Sequence, residues 1–242
     1  MPNVQQIAQE MLAGVEVILP YFAALATTAF LIRYFTNIKD EIFRKLLHMI
    51  LVIALMFWPF VFDHWYTAAL TALLCIVVFY PVLALLGHID AFSTFVNERS
   101  TGEFKTSLTL VLLMYATVLA LCWGWRDERI LSVAAISAWG YGDATAALVG
   151  KRFGRHHIEG RLVEGRKSLE GSLAMLVVSF VSVLVVLVIR GGMTWPHLLL
   201  TALVTALVTT VVELVSHHGN DTVTCPLAAT AVLIPLTWLL GG

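Results

Sequence analysis

The chain has 242 residues, 59% of them hydrophobic and 13% charged, with a mean hydropathy of +0.86 and a formal net charge of −1. Soluble domains run at about 45–50% apolar and about 25% charged, so this composition excludes a soluble domain and defines a polytopic membrane protein. Net charge says nothing here about partners, whereas the distribution of charge along the chain does.

Apolar runs predict eight helices near 12–35, 44–62, 65–86, 106–125, 130–149, 168–189, 197–216 and 225–241. They form an all-α membrane domain spanning 1–242. The link through Asp63 and His64 reads as a tight hairpin, and 87–105 is too polar to span and reads as a short interfacial helix. The first eleven residues hold no Lys or Arg and so lack the basic region of a cleaved signal peptide. Cys75, Cys122 and Cys225 lie in or beside apolar runs without CxxC spacing, which predicts packing residues rather than a disulfide or zinc framework.

Eight helices leave seven loops, and their charges are lopsided. Of the 15 Lys and Arg residues, only Arg126, Arg129 and Arg190 fall on the even-numbered loops. The positive-inside rule therefore places the odd loops in the cytoplasm and both termini outside. Trp58, Trp65, Trp123, Trp125, Trp195 and Trp238 all sit at the opposite ends, as headgroup-anchoring indoles do. Trp139 alone breaks that pattern.

The odd loops also collect the polar clusters: Arg44-Lys45-x-x-His48, Asn97 to Glu103 with Arg99 inside it, the glycine-rich basic segment 139–172, and Glu213-x-x-x-His217-His218-Gly219-Asn220-Asp221. Asp143 stands in a run of Ala, Val, Ile and Leu, where an acid costs about 2.5–3.5 kcal/mol at a helix centre, so a functional role is expected of it. Gly150 and Gly154 are spaced either for helix packing or for close approach of backbone to a phosphate. Lys167, Ser168 and Glu170 open a helix, where free N–H groups beside a lysine suit an anion and where Ser168 also suits an N-cap.

Residues 160–168 come near a Walker A loop, but Arg166 intervenes and no buried strand precedes them, which rules that reading out. Arg152, Arg155, Arg161 and Arg166 read mainly as topology and lipid-headgroup residues. Glu213 and His217, four apart, are predicted on one helix face, with Gly219-Asn220 breaking the helix before Asp221. Carboxylates with nearby amide oxygens suit Mg²⁺, while His217 and His218 lack a spaced third ligand for zinc.

Taken in order, Arg44-Lys45-Leu46-Leu47-His48, Glu98 to Phe104, Gly142-Asp143-Ala144-x-Ala146-Ala147-x-x-Gly150-Lys151-x-x-Gly154, Lys167-Ser168-x-Glu170-Gly171-Ser172 and Glu213…Asp221…Pro226-Leu227 resemble the CTP-dependent polyprenol and lipid kinases, the family of phytol kinase, dolichol kinase and yeast-type diacylglycerol kinase. Asp221 is followed by Thr222 where that family often has asparagine.

The resemblance implies Mg²⁺-dependent transfer of the γ-phosphoryl group of CTP to a membrane isoprenoid alcohol, with the site facing the cytoplasm. It implies Asp143, Glu170 and Asp221 as metal ligands, and Lys167 and Ser168 on phosphate oxygens. Arg44, Lys45 or Arg99 would neutralise further charge, and Gly142, Gly150, Lys151, Gly154 and Glu103 would help to form the nucleotide pocket. The general base is Asp143, Glu213 or His48. The expected partners are lipid alcohol, nucleotide and bilayer, with no nucleic acid, and self-association is left open.

Two alternatives compete. One is a cytidylyltransferase like CDP-diacylglycerol synthase, disfavoured because no Ser-Pro lies upstream of the Lys-Ser-x-Glu-Gly-Ser segment. The other is an anion transporter with Asp143 and Glu213 in a proton relay, disfavoured because the even-loop side is poor in polar groups.

Overall fold

The computed structural model describes residues 3–88, 102–158, 160, 163, 167–217 and 219–241. Among them it is helical, without a strand, and it divides into two compact units, Met1–Ala120 and Leu121–Gly242.

The first unit holds α1 (Val4–Phe35), α2 (Asp40–Phe57, continued by a 3₁₀ turn Trp58–Phe60), α3 (Trp65–Leu86) and α4 (Glu103–Leu119, running on into a π-helical turn at Ala120–Trp125). α1 begins eight residues before the apolar run that predicts it. The cause is a capping box: Asn3 Oδ1 accepts the Gln6 N–H at 2.8 Å and Gln6 Oε1 accepts the Asn3 N–H at 2.9 Å. A satisfied first turn lets a polar stretch stay helical, and hydropathy does not register that. The proposed interfacial helix over 87–105 falls mostly on residues outside the described set; at its edges His88 closes a turn and α4 starts at Glu103.

Phe43, Val52, Leu55, Trp58, Phe62 and Tyr115 form the apolar interior of this unit. The Trp58 indole donates to Ala68 O at 3.2 Å and the Tyr115 hydroxyl to Leu55 O at 2.6 Å. The Asp63–His64 turn is held by a residue far back in the chain. Glu10 accepts from the Asp63 and His64 N–H groups at 2.8 and 3.0 Å, from Thr67 Oγ1 at 2.7 Å and from His64 Nδ1 at 2.8 Å. Its negative charge sits at the positive end of α3. Glu10→Ala, which orphans these donors, should lower stability by about 1–3 kcal/mol. Thermal unfolding in detergent, with exposed Glu16→Ala as the control, checks it.

The second unit is built on α5 (Arg129–Phe153), against which α6 (Leu169–Arg190), α7 (Trp195–Val215) and α8 (Asp221–Leu240) all pack. Every residue from 131 to 140 is buried, including Trp139 at 1% exposure. Its departure from the interfacial tryptophan pattern thus has a cause: it is a core residue.

Seven of the described helices are long and apolar enough to cross a membrane, and α5 is not among them. Length and composition thus mark seven of the eight expected segments as able to span a membrane, and the segment at α5 is the exception. Ser132, Ser137, Gly140, Gly142 and Asp143 lower the apolarity of α5, and a helix walled in by three others meets protein where the rest meet lipid. At the end where α5 starts, Glu128 and Arg190 form a two-pronged ion pair, with Nη2 to Oε1 at 2.9 Å and Nε to Oε2.

Candidate active site

The other end of this four-helix unit gathers charge. Asp143 lies just past the middle of α5, Lys167 just before α6, Glu213 in the last turn of α7 and Asp221 at the first residue of α8. Cys225, one turn into α8, is fully buried, with its thiol donating to Thr209 O at 3.7 Å. All four charged groups are near enough to act electrostatically on that sulfur. Three carboxylates and one ammonium from four separate segments therefore share the neighbourhood of that sulfur.

Lys167 and Glu213 are directly paired. Nζ lies 2.9 Å from Glu213 Oε1 and also donates to the Glu213 main-chain carbonyl. The two side chains are 20% and 13% exposed, so solvent screens the pair little. Helix α7 ends at Val215, and Ser216 is already extended. The predicted helical alignment of Glu213 with His217 is therefore corrected: Ser216 turns its hydroxyl back onto Val212 O at 2.7 Å and the helix stops before His217. The break at Gly219-Asn220 stands, with Gly219 at φ +76° and α8 starting at Asp221.

The basic loop between α5 and α6 is fastened at its base. The Ile158 N–H donates to Lys167 O and the Leu169 N–H to His156 O, both at 2.9 Å, around a bridge between His157 and Ser168. Ser168 caps α6 through Gly171 N–H at 3.2 Å and is 4% exposed. Glu170 takes the His156 imidazole Nδ1 at 2.7 Å and the His156 N–H. The N–H groups of Leu169 and Gly171 at this helix start are thus already spent within the chain.

The glycines act between helices. A Cβ on Gly142 would lie 2.4 Å from Ser179 Oγ, one on Gly154 2.8 Å from Ser168 Oγ, and one on Gly171 2.9 Å from Ala146 O. Gly150 likewise abuts Ser168 at 3.2 Å. Of the two readings open for Gly150 and Gly154, close helix packing is the one with contacts behind it. Lys151 is exposed on the same helix.

Other candidates belong to the first unit. On α2, Arg44 pairs with Glu41 at 2.7 Å, and Lys45 and His48 are half-buried. Glu103 is the first residue of α4. Arg99, Arg161, Arg166 and His218 lie outside the described residues.

Among the described residues no three His, Cys, Asp or Glu side chains form a ready-made metal site. Asp143 and Asp221 are carboxylates of the same helical unit, the donor type that fits Mg²⁺, which commonly binds one or two carboxylates and completes its shell with water and substrate phosphates. Glu170, the third expected ligand, is engaged by His156. Sequence reasoning missed His156, whose only signal was the His-His doublet in a basic loop, and the central place of Cys225.

The chain is similar to a protein of Synechocystis sp. named phytol kinase, with 28% identity over 218 residues, covering 88% of this chain and 86% of that protein. No family model matches the chain, and no solved structure does.

Proposed function

We propose that this protein is a membrane kinase that moves the γ-phosphoryl group of CTP to the hydroxyl of an isoprenoid alcohol dissolved in the bilayer. The observation that carries the reading is the convergence of Asp143, Lys167, Glu213 and Asp221 around Cys225 at one end of a helical unit. Phosphoryl transfer requires mainly positioning and charge neutralisation, and such a cluster supplies both. Similarity to a phytol kinase over most of both chains supports an alcohol of the isoprenoid class.

In this reading Asp143 and Asp221 hold Mg²⁺ together with the triphosphate, and the ion neutralises charge on the phosphate oxygens. Lys167 donates to a phosphate oxygen. Glu170 keeps the loop shut through His156. The charge asymmetry of the loops supports a site on the cytoplasmic side, where nucleotide is available, with the alcohol arriving laterally from the membrane.

The purified protein, incubated with γ-labelled or α-labelled CTP and a panel of prenols, tests this. Label should reach lipid from the γ position only. Transfer from the α position means a cytidylyltransferase, and no transfer from either position overturns both.

A further inference from the structure

We propose that Glu213 is the positioning residue of this site, aiming the Lys167 ammonium at the nucleotide phosphates; this rests on the phosphoryl-transfer reading above. Lys167 is fixed at both ends. Its backbone carbonyl accepts from Ile158 at 2.9 Å, and its Nζ is gripped by the Oε1 and the main-chain carbonyl of Glu213, 46 positions along the chain. The carbonyl grip draws on the negative end of α7, whose last residue is Val215.

An ammonium has three N–H bonds. One is donated to the Glu213 main-chain carbonyl, and the Glu213 carboxylate holds the ammonium as an ion pair at 2.9 Å. A flexible lysine is thereby tethered at its charged end to one residue, in the helical unit that also carries Asp143 and Asp221. Preorganisation of this kind strengthens a contact by removing the cost of ordering it.

The same geometry argues against Glu213 as the general base. A base has to reach the proton it removes, and Glu213 Oε1 is committed to Lys167 at 2.9 Å.

The test measures kcat and KM for CTP, together with direct CTP·Mg²⁺ binding, on the full-length protein in detergent, for Glu213→Ala, Glu213→Gln, Lys167→Met and the Lys167→Met/Glu213→Ala double variant. Glu213→Ala should weaken CTP binding and raise its KM by about tenfold, the scale of one disturbed charge-assisted hydrogen bond. At saturating CTP its kcat should fall by less than about threefold. Glu213→Gln keeps an oxygen acceptor and should fall between it and the wild type, which preserves the test should the alanine variant fold poorly. In the Lys167→Met background, Glu213→Ala should add nothing, because there is no ammonium left to aim.

A loss of kcat of about 100-fold or more in both Glu213 variants with KM unmoved is the signature of a base and overturns the proposal. So does an effect on binding that persists without Lys167. CTP binding by the wild type that ignores Glu213→Ala rejects the positioning role alone, whereas no CTP binding at all rejects the phosphoryl-transfer reading with it.

Discussion

Asp143→Asn should reduce turnover by roughly 10³-fold, while the protein inserts, purifies and unfolds as the wild type does. The substitution keeps shape and removes only charge. That distinction matters because Asp143 is half-buried beside Gly142, which packs against Ser179 and Met175, so a larger change would confuse chemistry with packing. A half-buried carboxylate in the helix that the other three enclose is costly to keep there. It shares its surroundings with Asp221 and Lys167, as their joint action on Cys225 indicates.

Were the pair to hold Mg²⁺, Asp143→Asn and Asp221→Asn should both raise the Mg²⁺ concentration needed for half-maximal rate, and excess Mg²⁺ should restore part of the lost activity. Initial rates at saturating nucleotide across a Mg²⁺ series check this. Activity of Asp143→Asn near that of the wild type would remove the residue from the proposed machinery.

The helices were legible in the sequence because the membrane imposes long apolar runs. Their ends were legible only where hydropathy marks them. α1 was misplaced at its start because Asn3 and Gln6 satisfy the first turn by hydrogen bonding, a cause that no apolarity window contains. The Asp63–His64 turn was visible as a turn, but its anchor Glu10 lies 53 positions earlier than Asp63, and nothing local points back to it. α5 was recognised as a helix through its hydrophobic stretch. Its burial on all sides from 131 to 140 is a tertiary fact, hinted at only by Trp139 standing out of its class.

For the site, the same economy of polar residues that marks a membrane protein singled out Asp143, Lys167, Ser168, Glu170, Glu213 and Asp221, and of these Asp143, Lys167, Glu213 and Asp221 lie near enough to Cys225 to act on its sulfur. Their pairing was not legible. Which acid meets Lys167 depends on how α7 ends against the loop before α6, and the early stop at Val215 removes His217 from the face it was expected to share. The glycines were ambiguous for a physical reason: small residues serve both phosphate contact and helix contact, and only the atoms opposite them decide. Cys225 reads as a packing residue in sequence and is one, yet it marks the centre of the cluster because α8 begins only four residues before it.

Gly171→Val should cost both fold and function, since α5 and α6 touch through it. A single Cβ there would lie 2.9 Å from the Ala146 carbonyl oxygen, 3.2 Å from Ser168 Oγ and 3.3 Å from Gly150 Cα. Two of these three are backbone or bound to it and cannot rotate aside, so the helices have to part. Overpacking of this kind costs about 1–3 kcal/mol, which Gly171→Ala should show as a lowered unfolding temperature in detergent, with the branched valine worse. Parting α5 from α6 also moves Asp143, on the one helix, away from Lys167, at the mouth of the other. A displacement near 1 Å at a reacting centre costs about 10²-fold in rate, so the alanine variant should lose activity out of proportion to its loss of stability. Leu173→Ala, two residues on and 57% exposed, removes a side chain from the outer face of the same helix and should leave both nearly as they were. Full stability and turnover in Gly171→Ala would mean that these two helices do not meet at this glycine, and that the alignment of Asp143 with Lys167 is maintained by something other than their contact.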